Sequence, residues 1–259
     1  MRRRVNIAFA TIVAVAGLGV LGTVLAGEGT SDGGAAAYPA TRATTASESS
    51  RGSRVTTSAA SRGREVQGAR LLRRAQLRAR PGGRVVRALG TRTNFGSQQV
   101  LAVVGRRGDW LAVLSHHLPN SRAGWIPAAS AKLVREPYTL HADLSARTVV
   151  VRREGRVVRR LRVDVGRPGS TTPTGRFAVT DMLRLAGGGP YGCCVLALTG
   201  RQPNVPQGWT GGNRLAIHGR SNADTIGTAA SAGCLRAREA DMRWLLAHVR
   251  LGAPVRITS

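Results

Sequence analysis

Short apolar runs broken by glycine- and proline-containing turns dominate the chain from residue 69 onward, and only one stretch repeats at helical spacing. That limits the fold to a mainly β architecture, because runs of four to eight residues between turn signals read as strands. Ala75–Arg80 leads into the turn Pro81-Gly82-Gly83. Val100–Val104 and Trp110–Leu114 flank Gly105-Arg106-Arg107-Gly108-Asp109 and read as a hairpin, which Gly124-Trp125-Ile126-Pro127 closes. Trp110 and Trp125 are expected in the core of this small unit, although aromatics of this kind also stack on ligands. His116-His117 fall in a loop without neighbouring ligands, so no metal site is expected there. Beyond Pro137, Tyr138–Asp143 and Thr148–Val151 read as a hairpin, followed by strands at Leu161–Val165, Arg176–Thr180 and Val195–Leu198. Met242, Leu245, Leu246 and Val249 recur at helical spacing, so Arg238–Val249 is an amphipathic helix ended by Gly252 and Pro254, and Val255–Ile257 is a closing strand.

The N-terminal part is different. Arg2-Arg3-Arg4 precede an uncharged run from Val5 to Ala26, the pattern of an export signal. The run is long enough to span a bilayer, which takes about 20 residues. Residues 1–26 are therefore read as a signal peptide or, preferentially, an uncleaved signal anchor with the arginines inside. Residues 27–68 are rich in Gly, Ala, Ser, Thr and Arg without apolar periodicity and read as a flexible exported tether.

Charge narrows the partners. Lys and Arg number 39 against 13 Asp and Glu, a formal charge of +26, nearly all of it arginine. No helix-turn-helix, zinc-finger spacing or aromatic ribonucleoprotein pattern accompanies it, so nucleic acid is the weaker expectation. Behind an export signal, an anionic wall polymer or a membrane surface fits better. The three cysteines give no even disulfide framework. Cys193 and Cys194 are adjacent, and since vicinal disulfides are strained both are expected to be free.

The chemistry-bearing stretch is Asn213–Arg236. His218 ends the apolar run Leu215-Ala216-Ile217, and Cys234 follows sixteen positions later in Ser231-Ala232-Gly233-Cys234-Leu235-Arg236. A thiol of ordinary pKa, about 8.5, needs a base to attack at neutral pH, and an imidazole folded back onto it supplies one. Gly233 allows close backbone approach, so N–H groups there can line an oxyanion hole. Spacing alone leaves open a structural thiol and an unrelated histidine.

His218-Gly219 together with Ser231, Gly233, Cys234, Leu235 and Arg236 resembles the signature of the L,D-transpeptidase (YkuD-type) catalytic domain. Thr172-Pro173-Thr174-Gly175-Arg176-Phe177 and Gly189-Pro190-Tyr191-Gly192 are similar to two further motifs of that family. Ala232 departs from it, standing where the family usually has a second histidine. Residues 69–135, with Asp109-Trp110-Leu111 and Gly124-Trp125-Ile126, resemble a bacterial SH3-like β-barrel. The resemblance implies a YkuD-type β-sandwich over residues 137–259, and a cysteine enzyme forming 3→3 cross-links between peptidoglycan stem peptides through a thioester. It implies Cys234 as nucleophile and His218 as base, the Gly219 carbonyl fixing the imidazole, and Gly233 N–H in the oxyanion hole. Ser231, Arg236, Tyr191 and Trp209 would contact substrate. No metal or cofactor is implied, and the site would work on the extracytoplasmic face. L,D-carboxypeptidase action and peptidoglycan binding with weak catalysis are the alternatives. A papain-like protease fits less well, because its cysteine would precede its histidine.

Overall fold

The computed structural model describes residues 67–186, 189–204, 213–220 and 225–259. The expected signal segment (1–26), almost all of the tether (27–68) and Trp209 lie outside the described residues. Among the described residues no helix is long and apolar enough to cross a membrane.

Residues 67–135 form seven strands: β1 (Gln67–Leu71), β2 (Ala75–Arg78), β3 (Val85–Leu89), β4 (Val100–Arg107), β5 (Trp110–Leu114), β6 (Ala123–Pro127) and β7 (Ala131–Arg135). They pair in the order β3-β2-β6-β5-β4-β1-β7, so β3 and β7 are edges of an open sheet where a closed small barrel was expected. Leu71, Leu77, Leu101, Leu111, Val113 and Ile126 form its core. The β5–β6 register sets Leu111 opposite Ile126, both buried, and Ala112 opposite Trp125. Side chains alternate across a strand, so Trp110 and Trp125 fall on the opposite face. Both are half-buried there, outside the core expected for them.

The C-terminal half builds β8 (Tyr138–Asp143), β9 (Thr148–Arg153), β10 (Arg156–Asp164), β11 (Gly175–Arg184), β12 (Cys194–Arg201), β13 (Arg214–Arg220), β14 (Leu235–Arg238) and β15 (Pro254–Thr258), with helix α1 (Glu239–His248) between the last two. Pairing runs β10-β14-β13-β12-β11-β15-β8-β9 and closes on itself into a barrel, within the mainly β architecture with one C-terminal helix that was expected. Leu140, Val149, Val151, Leu161, Val163, Phe177, Leu196, Leu198, Leu215, Ile217, Leu235 and Val255 fill it. Helix α1 buries Met242 and Leu245 against that core and carries Glu239 and Asp241 in its first turn, where negative charge complements the helix dipole. Arg159 of β10 reaches the helix, pairing with Asp241 at 2.7 Å and lying over the Trp244 ring at 5.0 Å.

The two sheets meet along a polar seam around a small apolar contact of Ala102, Leu114 and Ala178. Thr93 donates its hydroxyl to Asp181, whose second oxygen pairs with buried Arg214 at 3.4 Å. Asn120 exchanges two 2.8 Å hydrogen bonds with the backbone of Arg201, and the N–H of Arg176 donates to Ser121 Oγ at 2.9 Å. The rings of His116 and His117 are 3.9 Å apart beside this seam. Burial, then nearby cationic residues, pushes His116 down to about 3 and His117 down to about 4, so both are neutral at pH 7.

Glu136, between β7 and β8, is buried and accepts a hydrogen bond from the N–H of Tyr138 at 3.1 Å. Burial, opposed by that bond and by Arg250, raises its carboxyl from 4.5 to about 7. A raised folded-state pKa means a stabilising contribution fully present below about 4.5 and lost as pH rises through about 7. Glu136→Gln should flatten that limb: the melting-temperature gap between variant and parent should widen in the variant's favour from pH 4.5 to pH 7.5. A constant gap would show that Glu136 does not titrate in this window.

Candidate active site

The β13–β14 pair is parallel, with Ile217 opposite Leu235 and His218 opposite Arg236. Cys234, one position before β14, therefore sits next to Ala216, and its Sγ lies 4.0 Å from the carbonyl oxygen of Arg214. Two residues sixteen apart in sequence thus meet on one wall, with no long-range contact other than this strand pairing required.

The turn that presents the thiol is held from several sides. Gly233 has φ +113°, and a Cβ there would lie 1.9 Å from Gln202 Nε2, so only glycine fits. Gln202 is buried and donates to Thr171 O at 2.8 Å. Ser170 Oγ donates to Ala232 O at 3.0 Å. Ser231 is fully buried; its N–H donates to Val165 O at 3.0 Å and its carbonyl accepts from Arg167 N–H at 2.9 Å. Gly233 N–H donates to Ser231 Oγ at 3.0 Å. Two expectations change as a result. Ser231 shapes the turn rather than touching the cleft, and the Gly233 N–H is spent inside the protein rather than aimed at a substrate oxygen. The Thr172-Pro173-Thr174-Gly175 motif gains a local reason: Thr172 Oγ1 accepts the N–H of Gly166, the residue that bridges to Ser231.

His218 is buried, and its Nδ1 lies 2.7 Å from Gly219 O. A carbonyl only accepts, so the proton of the neutral ring is on Nδ1 and Nε2 keeps its lone pair. Tyr191 meets the ring edge-on with centroids 5.0 Å apart. The backbone beneath is tight. A Cβ on Gly219 would stand 3.1 Å from Glu239 Oε1, and one on Gly192 (φ +60°) only 2.2 Å from it. That Glu239 oxygen accepts the N–H of Cys193 at 2.8 Å, tying the start of α1 to the bend that carries Tyr191. Cys193 and Cys194, expected free, are disulfide-bonded to each other, and Cys234 alone is free among the described cysteines. Gly192 supplies the left-handed turn and Glu239 fixes the Cys193 amide, so Cys193 lies in the bend that leads into β12, which begins at Cys194.

Electrostatics sets the resting protonation. Burial first, then Arg236 and Arg220, lowers His218 to about 4 against the Gly219 hydrogen bond and Asp164, which raise it. Burial pushes the Cys234 thiol up, against an Ala216 backbone hydrogen bond and Arg236. Neutral imidazole and neutral thiol are therefore the resting pair.

Cys234, His218, Ala232, Arg236, Tyr191 and Gln202 line one cleft of about 140 Å³, together with Pro190, Asn213 and Arg214. Of the expected site residues, Cys234, His218, Arg236 and Tyr191 come together here, and Gly219 and Gly233 act through backbone. Arg236 is half-buried, with Nη1 3.4 Å from Ala230 O. Asp164 pairs with Arg220 at 3.6 Å and accepts the Gly227 N–H at 3.1 Å, anchoring the return toward the thiol. Gln202, Ser170, Glu239 and Asp164 were not legible as site residues, since nothing in their local pattern marks them. A larger concavity lined by Arg176 and Arg256 holds neither thiol nor imidazole, so the chemistry belongs to the smaller cleft.

With this geometry the comparisons are informative. Residues 137–257 match the family described as the L,D-transpeptidase catalytic domain, YkuD. YkuD of Bacillus subtilis (strain 168) is 31% identical over 121 residues, covering 47% of this chain and 66% of that protein. Its counterpart in Bacillus licheniformis is 30% identical over 122 residues, with the same coverages. The chain thus spans just under two thirds of the length of these curated relatives. Among solved structures, an L,D-transpeptidase from Mycobacterium smegmatis aligns with 20% identity over 53% of this chain and 73% of that one, at a TM-score of 0.38. One from Xylanimonas cellulosilytica aligns with 25% identity over 48% and 61%, at 0.35. Residues 137–257 are thus similar to the YkuD-type L,D-transpeptidase catalytic domain.

A neutral, half-buried thiol reacts only through its small thiolate fraction. Alkylation of Cys234 by iodoacetamide should therefore climb about tenfold per pH unit up to pH 9 without a plateau. A plateau beginning near pH 5 would reveal a preformed thiolate–imidazolium pair and contradict this assignment.

Proposed function

We propose that this protein is a cysteine acyl transferase of peptidoglycan stem peptides, forming 3→3 cross-links. The observation that carries the reading is the Nδ1–H of His218 on Gly219 O, which turns the Nε2 lone pair into the available base within the Cys234 cleft. Nε2 takes the thiol proton as Sγ attacks the carbonyl of the diamino acid that precedes a terminal D-alanine. The oxyanion is held by the Cys234 N–H, because the Gly233 N–H is bound to Ser231. Collapse breaks the C–N bond, the imidazolium hands its proton to the departing D-alanine amine, and a thioester remains. A side-chain amine of a second stem then attacks that thioester, losing its proton to Nε2. The new amide forms and the thiol is restored. Water as acceptor gives L,D-carboxypeptidase action instead.

A low imidazole pKa keeps the ring unprotonated across the neutral range and makes it a strong acid once protonated, while its pull on the thiol proton is correspondingly weak. Ala232 adds only a methyl group to the cleft, leaving His218 as the sole imidazole lining it. Arg236 offers a guanidinium fork to a substrate carboxylate. The apolar N-terminal run supports export to the outer face of the membrane, with residues 69–135 as an SH3-like wall-facing module.

Incubation with a tetrapeptide muropeptide should give a covalent adduct on Cys234 by intact mass, with free D-alanine and a cross-linked dimer. Cys234→Ala should abolish all three, and His218→Gln should slow acylation by about 10²–10⁴-fold. Trimmed tripeptide without dimer would shift the reading to a carboxypeptidase. Retention on peptidoglycan with no adduct would replace it with a binding protein.

A further inference from the structure

The barrel wall formed by β10, β9, β8, β15 and β11 carries a feature that the thiol chemistry does not use. Register runs straight across it: Arg160 lies opposite Val150, Val150 opposite His141, His141 opposite Arg256, and Arg256 opposite Arg176. Residues in direct register share a face. The alternating neighbours Leu161, Val149, Val151, Leu140, Ala142, Val255, Ile257 and Phe177 belong to the barrel core, so the row lies on the outer face, where Arg160, Arg176 and Arg256 are exposed, His141 is half-buried and Val150 is covered. The next row places Arg162 opposite Thr148, Thr148 opposite Asp143, and Asp143 opposite Thr258. Arg160, Arg162, Arg176 and Arg256 are exposed, and none of them is ion-paired among the described residues. Asp143 is the single acid in these two rows, and its Oδ1 accepts from Ser145 Oγ and Ala146 N–H.

Like charges directly opposite each other destabilise a sheet, and Arg176 and Arg256 are such a pair, neither of them ion-paired among the described residues. Around them the surface dips into an open concavity of about 350 Å³, lined also by Thr174, Thr258 and Ser259. At about 4.8 Å per strand, four steps from Arg160 to Arg176 span about 19 Å. The result is a sheet face with Arg160 and Arg162 at one end and Arg176 and Arg256 beside a pocket at the other, Val150 and His141 between them, flanked by threonine hydroxyls and carrying no Phe, Tyr or Trp in these two rows.

We propose that this face binds a single linear polyphosphodiester, laid along the arginine row with one phosphate in the Arg176–Arg256 pocket. Guanidinium forks match phosphate oxygens bidentately. A pocket admits one strand of polymer but not the plane of a bilayer, and unstructured nucleic acid would need successive aromatic stacking platforms, whereas these rows offer one half-buried ring, His141. The thiol cleft, built on β13, β14 and the turns beside them, is lined by none of these four arginines, so the site fixes the domain along an anionic polymer independently of its reaction.

The test is fluorescence anisotropy of the full-length chain in neutral detergent with labelled poly(glycerol phosphate), across a salt series. Arg176→Gln with Arg256→Gln should weaken binding about tenfold or more and lower the slope of log affinity against log salt by about 1.5–2. Arg106→Gln with Arg107→Gln, the same charge change on β4, should weaken it less than about twofold. Thermal melts of both variants report whether they keep the fold. Equal weakening by the two pairs, or no binding by the parent chain, overturns the site. Tighter binding to single-stranded DNA or phosphatidylglycerol vesicles, lost in the Arg176/Arg256 variant, overturns the assigned partner.

Discussion

The parallel pairing of β13 with β14 is the constraint on which the cleft depends. Antiparallel neighbours need only a tight turn, but parallel ones need a crossover. Here the segment between the two strands, residues 221–234, must return to the starting edge before β14 begins. That return delivers Cys234 beside Ala216, two residues from His218 along β13. The anchors on the described part of this segment hold it in place: Asp164 on Gly227, Val165 and Arg167 on Ser231, Ser170 on Ala232, and Gln202 over Gly233. Removing the side chain of Gln202 would leave the glycine its conformational freedom without the wall that fixes it.

The same burial that fixes the geometry sets the chemistry. Desolvation favours the uncharged form of each partner, lowering the imidazole and raising the thiol. An ion pair inside this wall would have to recover the desolvation cost of both charges. The neutral pair avoids that cost. The tautomer of His218 is set by one carbonyl, that of Gly219.

Much of this was legible in the sequence because period-2 alternation and turn residues are local. Although β1, β3, β7 and β14 do not stand out in such patterns, most strands of both sheets, helix α1 and its burial of Met242 and Leu245 follow from them. So does the placement of His218 at the end of an apolar strand. Closure of the second sheet into a barrel was not legible, since pairings such as β15 with β8 depend on global geometry. The two tryptophans misled for a related reason: the register of Leu111 with Ile126, rather than residue size, decides which face is core. Cys193 and Cys194 were read from average strain, while a specific bend at Gly192 held by Glu239 governs them. Ser231 and Gly233 were read as groups facing substrate, but the turn uses them on each other.

The central claim is that a neutral, Nδ1-protonated imidazole faces a neutral thiol. Long-range ¹H–¹⁵N correlation spectra of ¹⁵N-histidine-labelled protein, followed from pH 8 down to pH 4, read both the tautomer and the titration of His218 directly. The account predicts a protonated Nδ1 and a lone-pair Nε2 at neutral pH, with protonation only as pH approaches about 4. An imidazolium at pH 7, or a neutral ring protonated on Nε2, would contradict it.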